Sequence, residues 1–131
     1  MSDGIARSGF DADLVFGEAR ESAFVEAVRK ARVKMKSDQK ARSTGNVFIE
    51  IRQGSPIKGE GRPSGISVTE AEWWCIEYED DCWLTVRTSL LKALVGRAKA
   101  LRGTKMAGDR NRFEGVLVPV EWFIRPFKSA A

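Results

Sequence analysis

The sequence predicts a fold of the α/β or α+β class, with a mixed central β-sheet flanked by helices. Helical and strand patterns follow one another along the chain in the order helix, four strands, helix, strand. The 131 residues, 43% of them hydrophobic, are enough to bury a single core without disulfides or a structural metal. We therefore expect one domain over residues 1–131, with residues 1–10 as a flexible tail.

Two helices are predicted from apolar spacing and capping residues. Residues 13–30 repeat apolar side chains at helical intervals, and Asp13 is a suitable N-cap. A second helix is expected from Ser89, as its cap, to about Leu101. Thr69 and Glu72 have the spacing of a capping box, which predicts a short helical turn before Trp73.

Strands are predicted where β-branched and aromatic residues alternate with polar ones. A hairpin around an acidic turn joins two of them, and the glycine-containing segments 53–65 and 103–115 are expected to be loops. The predicted strands cover residues 33–37, 46–52, 73–78, 82–87 and 116–120.

Charge alternates in blocks along the chain. Residues 29–62 contain ten basic and three acidic residues, and residues 92–131 contain nine and three. The blocks 1–28 and 63–91 are acidic, with two basic and six acidic residues, and one and six. If the basic blocks meet in space, they form a surface that suits a polyanion such as DNA; a solvated surface with scattered lysines is the alternative.

The chain contains no histidine, which excludes Ser-His-Asp and Cys-His catalysis and histidine metal sites. Hydrolysis would then depend on carboxylates that hold a hard cation such as Mg²⁺ or Mn²⁺, with a lysine beside them. Cys75 and Cys82 fit no metal-binding spacing and are expected to be free thiols in a reducing, cytoplasmic compartment.

One group of residues has the chemistry for phosphodiester hydrolysis. Lys36 and Asp38 are two residues apart, so an extended chain places them on the same side. Glu50 lies on the next predicted strand, and Glu21 comes from the preceding helix. Carboxylates on one face of neighbouring strands converge, so we expect Asp38 and Glu50 to share a cation, with Glu21 able to complete the cluster and Lys36 nearby.

Several segments resemble small phage-encoded PD-(D/E)XK nucleases. They are Phe16-Gly17 with Glu21, residues 33–38 (VKMKSD), 44–50 (TGNVFIE), 62–66 (RPSGI), 69–74 (TEAEWW), 103–105 (GTK) and 108–109 (GD) before 116–119 (VLVP). They occur in the family's order over roughly residues 11–122.

The resemblance implies a restriction-endonuclease-like core and a Mg²⁺-dependent DNA endonuclease related to junction-resolving enzymes. It assigns Glu21, Asp38 and Glu50 to the metal and Lys36 as the catalytic lysine. In one assignment Ser37-Asp38 is the family's PD and Glu50-Ile51-Arg52 its E-x-K. In the other the E-x-K ends at Lys36, and its acid falls at Lys34, where the family usually has Glu.

DNA contacts are expected from basic side chains of both positive blocks, with a solvated helix face as the alternative for those after residue 96. They are Lys34, Lys40, Arg42, Arg62, Arg102, Lys105 and Arg110.

Three functions therefore stay open at the level of sequence. The first is a DNA endonuclease, acting on branched DNA as a homodimer, as junction-resolving enzymes do. The second is a protein on the same fold that binds DNA or a protein partner without cutting, because Lys34 repels the cation. The third is a structural or inhibitory protein with no salt-dependent affinity for DNA.

Overall fold

The computed structural model describes residues 8–30, 32–54, 59 and 61–126, in two compact units divided after residue 31. The first unit is helix α1, Ser8–Lys30, which begins within the segment expected as a tail. Arg20 lies 5.3 Å from the centre of the Phe16 ring, and Arg29 pairs with Glu26 at 3.7 Å. Residues 1–7 lie outside the described residues.

The second unit combines three helices with two β-sheets. The predicted mixture of helices and strands is therefore confirmed, whereas the prediction of a single central sheet is wrong. One sheet has the order β1-β4-β5 and the other β3-β2-β7-β6. The elements are β1 (Val33–Ser37), α2 (Ala41–Thr44), β2 (Asn46–Gln53), β3 (Arg62–Pro63), β4 (Trp73–Glu79), β5 (Cys82–Arg87), α3 (Thr88–Arg102), β6 (Lys105–Ala107), β7 (Phe113–Pro119) and α4 (Val120–Ile124).

The first sheet contains the only parallel pairing described. β1 runs parallel to β4, with Lys36 opposite Ile76, and β4 forms the expected antiparallel hairpin with β5. The backbone N–H of Asp38 donates to Glu77 O at 2.9 Å, which extends the β1–β4 pairing one residue beyond the strand.

The second sheet is antiparallel throughout. β2 pairs with β7 along most of its length, with a register shift between Glu50 and Arg52, and β3 covers only Arg52 and Gln53. The other side of β2 has no backbone partner strand along residues 46–50 among the described residues. This part of the edge positions the candidate site.

Helix α3 closes the core. Its buried apolar residues, at spacings of three and four, are Leu91, Leu94, Val95 and Ala98. They belong to one buried cluster with Val47, Ile49, Val116 and Val118 of the second sheet and with Trp74, Ile76 and Val86 of the first. Each fully buried valine, leucine or isoleucine side chain among them contributes roughly 1.5–3 kcal/mol.

Helix α3 begins differently from the sequence prediction. Arg87 is its N-cap residue, and Ser89 lies inside the first turn. Thr88 makes the connection instead, because its hydroxyl donates to Ala71 O at 2.6 Å and its N–H donates to Glu72 O at 2.9 Å. The prediction of Ser89 as the cap was therefore wrong.

Short elements were missed or misplaced by the sequence prediction. No helical turn starts at Thr69, whose hydroxyl accepts the Ala71 N–H at 3.2 Å, and a 3-10 turn lies at Gly65–Ser67 instead. β6 and a second 3-10 turn, Asp109–Asn111, occupy an expected loop. The last strand begins at Phe113 rather than Val116.

Gly65 is required where its segment passes β2. It has a φ of +57°, and a Cβ there would lie 2.2 Å from the Glu50 carbonyl oxygen. Gly45 also has a positive φ, +72°, but a Cβ there would meet nothing within 4 Å. A side chain at Gly45 would therefore cause backbone strain alone, whereas one at Gly65 would cause both strain and a steric clash.

We predict that Gly65→Ala lowers the free energy of unfolding by more than about 3 kcal/mol, because strain and clash combine. Gly45→Ala, the matched control, should lose only about 1–2 kcal/mol, from strain alone. Urea denaturation of both variants measures the difference. Equal losses would show that the close approach of Gly65 to Glu50 is wrong.

Candidate active site and basic cleft

The side chains of Lys36 and Asp38 bind the uncovered edge of β2 at one residue. Lys36 Nζ donates to Phe48 O at 2.6 Å, and Phe48 N–H donates to Asp38 Oδ2 at 2.8 Å. Both polar groups of the Phe48 backbone are therefore satisfied by side chains rather than by a neighbouring strand. β1 and β2 were expected to be neighbours in one sheet; they belong to different sheets and are joined here through side chains.

Asp38 also organises the turn that follows it. Its Oδ1 accepts the backbone N–H groups of Lys40 at 3.0 Å and Ala41 at 3.1 Å, which have no partner within the helix because they lie at the start of α2. The carboxylate thus accepts three backbone hydrogen bonds. Since each carboxylate oxygen can accept two, Oδ2 has one acceptor position left.

Thr44 performs a similar role one step earlier on β2. Its hydroxyl oxygen accepts the Asn46 N–H at 3.2 Å and lies 3.2 Å from Asn46 O. On this edge of β2, the backbone polar groups of Asn46 and Phe48 are therefore hydrogen-bonded by side chains from residues 36–44.

Lys36 is the electrostatic centre of the predicted site. Burial lowers the pKa of its ammonium group below the ordinary value, while the charges of Asp38 and Glu50 act in the opposite direction. Lys34, which is exposed on the same strand, reinforces the lowering. The structure thus brings Lys36, Asp38 and Glu50 within electrostatic reach, with Lys34 beside them. In this charged group of four residues, the two ammonium groups balance the two carboxylates.

The third predicted carboxylate, Glu21, lies in α1, which is a separate unit. Its part in the site stays a prediction. Among the residues that the structure describes, no three His, Cys, Asp or Glu side chains form a group able to hold a metal ion.

A cleft of about 340 Å³ opens beside Asp38, and we call it the basic cleft. It lies over the β2–β7–β6 face that carries Phe48 and Leu117, whereas the alternate residues Val47 and Val118 are buried in the core. Lys40 and Lys105 both line it, so the two basic blocks of the sequence meet here. Arg102 donates to the Asn46 side-chain oxygen at 2.9 Å, and Asn46 also lines the cleft.

The other predicted DNA-binding residues are placed differently. Arg42 pairs with Glu79 at 3.2 Å in a second cleft of about 310 Å³, whose lining includes Glu77 and Asp80. Arg62 is exposed on β3, and Arg110 has a left-handed backbone with a φ of 59°. Neither is among the residues that line the basic cleft, so their DNA contacts stay predictions.

The sequence prediction missed several residues of the basic cleft. Phe48, Met106 and Leu117 line it, and Gly115 makes room for the Phe48 ring, because a Cβ there would lie 2.4 Å from Cζ. Alternation along β2 gave one usable signal, since Phe48 falls on the same face as Glu50. β6, which carries Met106, was read as part of a loop.

The aromatic and sulfur side chains of the hairpin differ in burial and in contacts. Trp74 is buried, Trp73 is half-buried under the Arg87 guanidinium at 4.6 Å, and Trp83 is exposed. Both cysteines are free, as expected, and Cys82 Sγ donates to the Tyr78 hydroxyl at 2.8 Å.

Comparison with known proteins returned no match to a family model, to a curated protein or to a solved structure. No described helix is long and apolar enough to cross a membrane.

The lowered pKa of Lys36 predicts a specific pH dependence of stability. The unfolded chain keeps this proton up to about pH 10.5, whereas the folded protein releases it at lower pH. Between the two values the unfolded state binds more protons, so stability contributed by this group rises with pH. The difference in unfolding free energy between the natural protein and Lys36→Met should therefore shift in favour of the natural protein as pH rises toward 10.5.

Urea denaturation over a pH series measures this difference, and the exposed Lys92→Met variant on α3 corrects for the loss of one ammonium group. A difference that falls as pH rises would show that Lys36 is not held in a desolvated site.

Proposed function

We propose that this chain is a metal-dependent DNA endonuclease, with Lys36, Asp38 and Glu50 as its centre. One observation carries the proposal: Asp38 belongs both to the charged group around Lys36 and to the lining of the basic cleft. A phosphate held by Lys40 and Lys105 would therefore lie next to the carboxylates and the lysine. This is the combination that phosphodiester hydrolysis needs.

The carboxylate oxygens of the site are suitable ligands for Mg²⁺. This ion commonly keeps several waters and binds one or two carboxylates together with phosphate oxygens. Asp38 has an acceptor position left on Oδ2, and Glu50 is the second carboxylate, so these two residues would hold the ion. When bound, the ion would activate water and neutralise charge on the phosphate.

Lys36 has donors to spare for the reacting phosphate. An ammonium group has three N–H donors, and the bond to Phe48 O uses one. The bond fixes the side chain at the β2 edge, and partial burial keeps water from screening its charge. Lys36 would thus stabilise the negative charge that develops on the phosphate.

A second candidate is a DNA-binding protein on the same plan that does not cut. It is favoured by Lys34, whose charge acts on Lys36 and completes a balance of two ammonium groups against two carboxylates. Such a group has no net negative charge to attract a divalent cation. The three backbone bonds of Asp38 also commit most of that carboxylate to structure.

Cleavage and binding assays separate the two candidates. The protein is incubated with duplex and branched DNA, with Mg²⁺ or with EDTA. For an endonuclease, we expect cleavage that requires Mg²⁺ and falls about 100-fold or more in Glu50→Gln. Glu114→Gln, which removes a half-buried carboxylate from β7, is the matched control and should cleave normally.

The Lys34→Glu variant tests the second candidate in the same assay. If the natural protein binds DNA without cutting, this variant should gain Mg²⁺-dependent cleavage, because a third carboxylate replaces the repelling ammonium. Absence of salt-sensitive DNA binding by all the proteins, with no cleavage, would refute both candidates.

A further inference from the structure

The lining of the basic cleft is of two kinds. One part is basic and polar and includes Lys40, Lys105 and Asn111. The other part is apolar and consists of Phe48, Met106, Ala107 and Leu117, all of them half-buried rather than sealed in the core. A surface that contacts only the phosphates of a duplex gains nothing from an apolar floor, because duplex backbone presents charged and sugar groups.

The apolar part is built into the sheet rather than left by chance. Phe48 and Leu117 are opposite one another on β2 and β7, and the Phe48 ring lies over Gly115, where a side chain would collide with it. Lys36 Nζ is 5.6 Å from the centre of the same ring. The aromatic side chain is therefore held at the junction of the cleft and the charged group.

The size and charge of the cleft match one nucleotide unit. Its volume of about 340 Å³ is at the lower end of the range for pockets that enclose small organic ligands, roughly 300–1,000 Å³. Lys40 and Lys105 come from the two different basic blocks of the sequence and supply positive charge at the cleft for phosphates. A base needs an apolar or aromatic surface beside such charge, as in single-strand binding sites.

We propose that the cleft binds an unpaired nucleotide of a DNA strand, with its base against Phe48, Met106 and Leu117 and its phosphates near Lys40 and Lys105. The inference rests on the proposed function and specifies its substrate: DNA with at least one base out of the helical stack. A paired base in a duplex has its faces covered by its neighbours and is too deep to reach this floor. The protein should therefore prefer DNA with an unpaired base over fully paired DNA.

The test is a fluorescence anisotropy titration in EDTA, at one fixed salt concentration, with a fully paired duplex and the same duplex carrying one bulged thymine. The natural protein should bind the bulged duplex about 5- to 150-fold more tightly, as expected for one base stacked on an aromatic side chain. Phe48→Leu, which keeps an apolar side chain but removes the ring, should lose most of this preference, measured as the ratio of the two affinities.

Two further variants complete the test. Lys105→Ala should lower the affinity for both DNAs by the same factor, because it removes a phosphate contact. Met106→Ser, on the short strand β6, should reduce the preference as Phe48→Leu does, and thermal melting verifies that both variants fold. Equal affinity of the natural protein for the two DNAs would overturn the inference. Failure to bind either DNA would instead refute the proposed function.

Discussion

The backbone of Phe48 depends on two side chains from another sheet. Its N–H is bonded to Asp38 and its carbonyl to Lys36, on the edge of β2 that faces away from β7 and has no described partner strand there. A half-buried peptide group left without partners costs about 1–3 kcal/mol for each polar atom. The pair of bonds therefore stabilises the uncovered edge and joins the β1-β4-β5 sheet to the β3-β2-β7-β6 sheet.

This connection determines where the candidate site can be. Lys36 and Asp38 are fixed by the β1–β4 pairing, which extends through the Asp38 N–H to Glu77. Their bonds to β2 bring them to the strand that carries Phe48 and Glu50, and α2 starts from the same carboxylate. The charged group, the turn into α2 and one wall of the cleft thus all depend on the bonds that Lys36 and Asp38 make. This arrangement also creates a conflict, because the Asp38 carboxylate, which already accepts structural hydrogen bonds, has less capacity for a cation.

Much of this arrangement could be predicted from sequence. Alternation located β1, β2 and the hairpin closely, and the spacing of Lys36, Asp38 and Glu50 indicated side chains that act together. The arrangement into two sheets was missed because side-chain bonds to a strand edge leave no periodic signal. β3 and β6 were missed because strands of two and three residues are too short to alternate recognisably. The apolar floor of the cleft was missed for the same reason, since β6 contributes part of it.

Amide hydrogen exchange at Phe48 tests the central claim most directly, which is that the Asp38 carboxylate holds the β2 edge. In the natural protein the Phe48 amide should be protected, and in Asp38→Ala its exchange should accelerate by at least about 10-fold, since the lost bond is worth roughly 1.5–3 kcal/mol. The Ile49 amide, on the opposite edge of β2 and paired with β7, should keep its protection. Unchanged protection of Phe48 in Asp38→Ala would contradict the account, because the two sheets would then be joined by something other than these side chains.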